Sequence, residues 1–203
     1  MALTLDRCLA ALARHGVMTL TASPPLPDLV TLVAGEPVKG SWWAHPAGNA
    51  IFNLANALED HADVLVVKLV GGKVSFVERA LWPALLRVVG EAGWREAASA
   101  RVPAAARALL TAVEAAGELR PDKATRAAAK QLEASLLVLS RQEHTASGKH
   151  ETVLTDWRRW ARQAKVARAT GTLAAAIATI ETACLGLPTS LSAPPPKRKV
   201  SPR

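Results

Sequence analysis

The segment Gly40-Ser-Trp-Trp-Ala-His-Pro46 holds the residue types that come nearest to chemistry in this chain. Trp42 and Trp43, side by side, can form an aromatic platform on which a base or sugar stacks. His45 beside them can give a hydrogen bond or move a proton, which makes it the candidate catalytic residue if a reaction is present. Tryptophan is also large enough to cap a core or brace a loop, so the same residues fit a purely structural role. Tyrosine is absent and aromatics make up 4% of the chain, so an adjacent pair is a concentrated use of a scarce side chain.

A second set of candidates is cationic. Arg126 and Lys130 stand four residues apart and share a face if that stretch is helical. Ser147, Lys149 and His150 lie at or just after the polar segment Thr145-Ala-Ser-Gly-Lys149, with His144 on its other side. Arg158, Arg159 and Arg162 come next as a closely spaced basic run. Cations and hydroxyls in this arrangement suit phosphates and groove edges, although a charged run also suits a solvated helix face. His144 and His150 are two ligands where zinc needs three or four, so no metal site is expected. Cys8 and Cys184 are too far apart in the chain to suggest a metal motif or a disulfide framework, and buried free thiols are expected. There is no Gly-rich phosphate loop, no Gly-x-Ser-x-Gly elbow and no His-Glu-x-x-His, and no cofactor is expected.

The elements that must carry these residues are set by periodicity. Leu109, Leu110 and Val113 recur at helical spacing over residues 103–116, and Gly117 is a helix stop. Asp122 can cap a helix over residues 124–134, whose apolar stripe is Ala127, Ala128 and Leu132. Residues 136–139 are short, apolar and strand-compatible, and Gly148 suits a tight turn before a returning strand over 151–154. Helix, basic helix and hairpin in that order predict a winged helix-turn-helix.

The earlier half carries a similar plan: helix, helix and hairpin occur at 28–79 as at 103–154. Residues 4–15 form an amphipathic helix stopped by Gly16, and Asp28 can cap a short helix to residue 34. Next come a helix over 49–61 and the strands 64–70 and 73–78 around Gly71-Gly72. A helix over 80–91 has Pro83 in its first turn. Past Asp156, residues 157–168 read as a helix with Trp157 and Trp160 on one side and arginines on the other. Gly171 divides it from a helix over 172–184. The fold class expected is mainly α with short β-hairpins: tandem winged helix-turn-helix modules plus C-terminal helices. The expected divisions are an N-terminal module over 1–98, a second module over 99–155, a helical segment over 156–186 and a disordered basic tail over 187–203.

Charge separates the halves. Residues 1–100 hold 8 Lys/Arg and 9 Asp/Glu, whereas residues 101–203 hold 17 and 8, within a net charge of +8. A basic half joined to a near-neutral one points to a polyanion as partner of the second half. No signal peptide and no membrane-spanning stretch are legible, which predicts a cytoplasmic protein, nucleoid-associated if bacterial.

The helix ending in Gly117, the Lys130-Gln-Leu-Glu133 helix and the hairpin after it resemble the winged-helix repeats of the bacterial DNA glycosylases that unhook interstrand crosslinks. The resemblance covers about a third of the chain and implies tandem winged helices and DNA binding. That family's Gln-x-Gln catalytic motif has no counterpart, since Gln131, Gln142 and Gln163 stand alone.

The function expected is therefore double-stranded DNA binding, in repair or transcriptional regulation, through Arg126, Lys130, Ser147, Lys149, His150, Arg158, Arg159 and Arg162. The first alternative is a glycosylase-like nucleic-acid enzyme centred on Trp42, Trp43 and His45. The second is a protein-interaction module, with the apolar hairpin over 64–76 as a homodimer contact.

Overall fold

A computed structural model describes residues 4–144 and 150–192, apart from the side chains of His144 and His150. Ser147, Lys149 and the basic tail from residue 193 onward lie outside the described residues. The first unit comprises α1 (Leu5–His15), β1 (Val17–Thr19), α2 (Leu29–Ala34), α3 (Gly48–Glu59), β2 (Val64–Val70) and β3 (Lys73–Glu78). Its three strands form an antiparallel sheet in the order β1-β3-β2. Gly16 ends α1 at φ 73°, donating its N–H to the Leu12 carbonyl at 2.7 Å, and the chain turns directly into β1. Asp28 caps α2 by accepting from the Thr31 N–H at 2.8 Å. Gly71 and Gly72, both at positive φ, make the hairpin turn between β2 and β3.

Helices α4 (Trp82–Val89) and α5 (Ala92–Arg101) lead to a second unit with α6 (Ala104–Ala116), β4 (Glu118–Leu119), α7 (Arg126–Ala134), β5 (Leu139–His144) and β6 (His150–Thr155). Its sheet order is β4-β6-β5, again antiparallel. The two units repeat one device: a helix closed by a glycine at positive φ (Gly16, Gly117) feeds a very short strand. Periodicity does not reveal those short strands, because two or three residues show no alternation. With about 51% helix and 18% strand, the chain is mixed α/β rather than mainly α.

Other expectations are corrected by the backbone. Residues 136–138 are buried but not strand; Leu136 takes φ 52° and the strand starts at Leu139. Asp122 does not cap α7 directly but closes the preceding turn, accepting from the Thr125 N–H at 2.8 Å and the Thr125 hydroxyl at 2.6 Å. Helix α8 (Trp157–Gln163) stops short of residue 168, with Lys165 at φ 54°. The boundary expected at residue 98 falls inside α5. Residues 187–192 belong to the fold rather than to a disordered tail. Thr189 bridges Val70, the Ser190 N–H bonds the Leu69 carbonyl at 2.7 Å, and Leu191 is buried.

Packing ties the units together. One core gathers α1, α2 and β3 around Cys8, Leu12, Met18 and Phe76, and another gathers α6, α7 and β6 around Leu110, Leu132 and Leu154. The largest core joins the outer face of the first sheet to α4, α8 and α9 (Leu173–Ala183). Cys184 lies in that core as a free thiol, its pKa pushed up to about 12 by burial and by Glu181. The apolar hairpin residues Leu65, Val67, Leu69 and Val77 are buried within this same chain. Trp157 is the hinge of the arrangement. It is 2% exposed, packs edge-on to Trp160 at 5.7 Å, and donates its indole N–H to the Leu136 carbonyl at 2.8 Å.

Trp157→Phe should cost about 1–3 kcal/mol through the orphaned carbonyl. Trp157→Ala should cost about 3–5 kcal/mol, mostly through lost packing. Urea unfolding measures both; equal stability of wild type and Trp157→Phe would remove the hydrogen bond from the argument.

Candidate functional site

A cleft of about 950 Å³ opens between the two units. The first unit contributes Trp42, Trp43, Phe52, Glu59 and Lys68; the second contributes Arg120, Asp122, Arg126, Lys130, Glu133 and Gln142. The Trp42-Trp43 pair and the Arg126/Lys130 pair, some eighty residues apart in the chain, thus face one space.

Trp42–Ala44 is a single 3-10 turn just before α3. Its indoles stack with centroids 4.1 Å apart and planes at 23°, and Trp43 also meets Phe52 at 5.4 Å. Gly48 lets the first turn of α3 approach this turn closely: a Cβ there would sit 3.0 Å from the Trp43 carbonyl oxygen and 3.1 Å from that of Trp42. His45 braces the same turn. Its Nδ1 accepts from the Ala47 N–H at 3.2 Å, its own N–H donates to the Trp42 carbonyl at 3.1 Å, and it does not line the cleft.

The opposite wall is α7. Ala128, Ala129 and Leu132 bury its inner side, leaving Arg126, Ala127, Lys130 and Gln131 exposed. The apolar stripe thus falls on Ala129 rather than Ala127. Among the described residues neither Arg126 nor Lys130 has an ion-pair partner.

Other charges around the cleft are engaged. Lys68, the lone charge in apolar β2, bonds Glu133 of α7 at 2.7 Å and joins the two units. Arg120 pairs with Glu143, and with Glu151 at 3.5 Å. Arg141 reaches Glu118 at 3.1 Å and Glu143 at 2.6 Å. Hydrogen bonds from Arg141 and Arg120 hold the Glu143 carboxyl below its ordinary range, as those from Thr125 do for Asp122. Glu59, at the end of α3, accepts from the Gln142 N–H at 3.3 Å across the units. Burial nonetheless pushes its carboxyl above the ordinary range.

The basic run after residue 157 lies elsewhere. Arg158 is bound to Asp156, the α8 cap, at 3.4 Å, and Arg159 packs on Gly117 and reaches Glu118 at 3.5 Å. Neither these nor Arg162 line the cleft. The β5–β6 ladder pairs His144 with His150 in register. Among the described residues no group of three His, Cys, Asp or Glu side chains is placed to hold a metal, and no helix is long and apolar enough to cross a membrane. Sequence reasoning misses Arg120, Phe52, Glu59 and Glu133. The one available signal is Lys68, a charge in a strand otherwise apolar and therefore in need of a partner. Comparison with protein families, curated proteins and solved structures finds no match.

The raised Glu59 carboxyl gives stability a pH dependence of definite sign. A carboxyl whose folded pKa exceeds its unfolded value favours the folded state below the unfolded pKa, and that contribution is lost as pH rises through the folded pKa. Glu59→Gln, which keeps the acceptor and removes the charge, should therefore raise Tm at neutral pH. The gain should shrink as pH falls below the carboxyl's titration. Thermal unfolding at neutral and acid pH measures this; a gain independent of pH would contradict the assignment.

Proposed function

We propose that this chain is a double-stranded DNA-binding protein built from two winged helix-turn-helix modules, with α7 of the second module as its groove-facing helix. The element order supports this reading. Helix, short strand, helices and a hairpin, with the short strand beside the second hairpin strand, is the order in which a winged helix is built; the first unit has it with α2 and α3, and the second has α7 alone between β4 and the hairpin. In the second module α7 takes the place of the recognition helix and the β5–β6 hairpin that of the wing.

The observation that carries the reading is the exposed side of α7, where it borders the cleft. Most arginines nearby are neutralised by carboxylates, but Arg126 and Lys130 stand exposed one turn apart. Ala127 and Gln131 beside them are small or hydrogen-bonding, so the helix can approach base edges closely. Cations left unpaired on an otherwise compensated surface suit a partner that supplies the anions. Arg158 and Arg162 are exposed as well and can extend phosphate contacts along α8.

Titration of a short labelled duplex at two or more salt concentrations tests this. Wild type should weaken steeply with salt, and Arg126→Ala/Lys130→Ala should bind at least about tenfold less tightly, with a salt slope smaller by roughly 2. Salt-independent binding, or a double variant that matches wild type, would refute it.

A further inference from the structure

Of the six tryptophans, four are consumed by the core. Trp82, Trp94 and Trp157 donate their indole N–H groups to the carbonyls of Val77, Leu191 and Leu136, and Trp160 packs between Trp82 and Trp157. Trp43 is different: it is 63% exposed, the most exposed large hydrophobic residue among those described. An indole left in water while Trp42 stacks behind it and Phe52 flanks it is a flat apolar surface held in place without a covering partner.

We infer that the inter-module cleft takes an unpaired nucleotide segment of DNA, its base stacked on Trp43 and its phosphates on Arg126 and Lys130. The inference rests on the DNA-binding reading above and extends it to a class of DNA structure: duplex adjoining an unpaired stretch. Stacking requires a free base face, which paired bases inside a duplex do not offer and unpaired ones do. The cleft meets the other requirements. Its volume, about 950 Å³, lies at the upper end of ligand pockets, which run to about 1,000 Å³. Two of its carboxylates are paired with cations, Glu133 with Lys68 and Glu151 with Arg120, while Asp122 accepts from Thr125 and Glu59 from the Gln142 backbone N–H. Arg126 and Lys130 are the cleft cations without an ion-pair partner among the described residues, so an added anion finds its complement on α7. An aromatic face on one wall and free cations on the other match the two chemical halves of a nucleotide.

The test compares three labelled probes on the full chain at one low salt concentration: a blunt duplex, the same duplex with a short thymidine overhang, and a thymidine oligonucleotide alone. Stacking of one base is worth about five- to 150-fold in affinity, so the overhang should bind tighter than the blunt duplex by a factor in that range. Trp43→Ala, exposed and so free to fold as wild type does, should erase the difference and leave blunt-duplex affinity unchanged. Trp43→Phe should retain most of it. Trp fluorescence should be quenched on binding the overhang and not on binding the blunt duplex. Blunt and overhang probes binding equally, or a preference that survives Trp43→Ala, would overturn the inference while leaving duplex binding standing. Trp43-dependent binding of the thymidine oligonucleotide with no blunt-duplex binding would sustain the cleft and overturn the duplex reading instead. Failure of all three probes at low salt would overturn both.

Discussion

The indole N–H of Trp157 bonded to the carbonyl of Leu136 is the constraint on which the rest of the molecule depends. Leu136 sits where the chain leaves α7, in a left-handed conformation that costs a non-glycine residue on the order of 1 kcal/mol or more. That cost is offset because the corner sends adjacent side chains in opposite directions. Leu136 enters the core shared with the first sheet, and Leu137 enters the core under α6 and α7. A single turn therefore stitches two cores, and Trp157 closes it from the far side. The buried carbonyl of such a turn needs a donor, and the indole supplies one that also fills volume.

The cleft is a consequence of that stitching. With α7 held against β2, Lys68 meets Glu133, and the end of α3 comes to Gln142 through Glu59. A half-buried ion pair is a poor source of net stability, since desolvation offsets much of its attraction. It does fix register: an apolar strand with one lysine has one place where a glutamate satisfies it. Lys68–Glu133 thus sets how the two walls face each other more than how tightly they hold. The wall residues Trp43 and Arg126 gain their relation from contacts that neither makes.

Much of this was legible in the chain. Helices with glycine stops, the Gly71-Gly72 hairpin and the Asp28 cap all have local causes, and local causes leave local signatures. What was hidden is what the tertiary fold alone decides. The strands Val17–Thr19 and Glu118–Leu119 exist because a sheet edge is there to receive them, not because their sequences alternate. Residues 187–192 look like the start of a polar tail, yet Ser190 and Thr189 bond along β2, and Leu191 is buried with its carbonyl accepting the Trp94 indole N–H. In the site, Trp42, Trp43, Arg126 and Lys130 were readable as types, but their convergence was not. Nothing in the spacing of residues 42 and 126 tells that they share a cleft.

Tryptophan shows the same division between type and place. The pairs Trp42-Trp43 and Trp157-x-x-Trp160 are comparable as sequence, and either could have been platform or core. The difference lies in the path the chain takes after each pair. Beyond Trp160 the helix breaks at Lys165 and the loop folds back on α4, with the Ala169 N–H on the Pro83 carbonyl, so the indoles are covered. Beyond Trp43 the chain bends through His45 into α3 at Gly48, whose missing side chain lets the first turn of the helix approach the Trp42 and Trp43 carbonyls closely. In that turn the Trp43 ring lines the cleft and His45 is a strut. The exposed indole is thus built by its neighbours, and no returning loop closes over it as one does over Trp157 and Trp160.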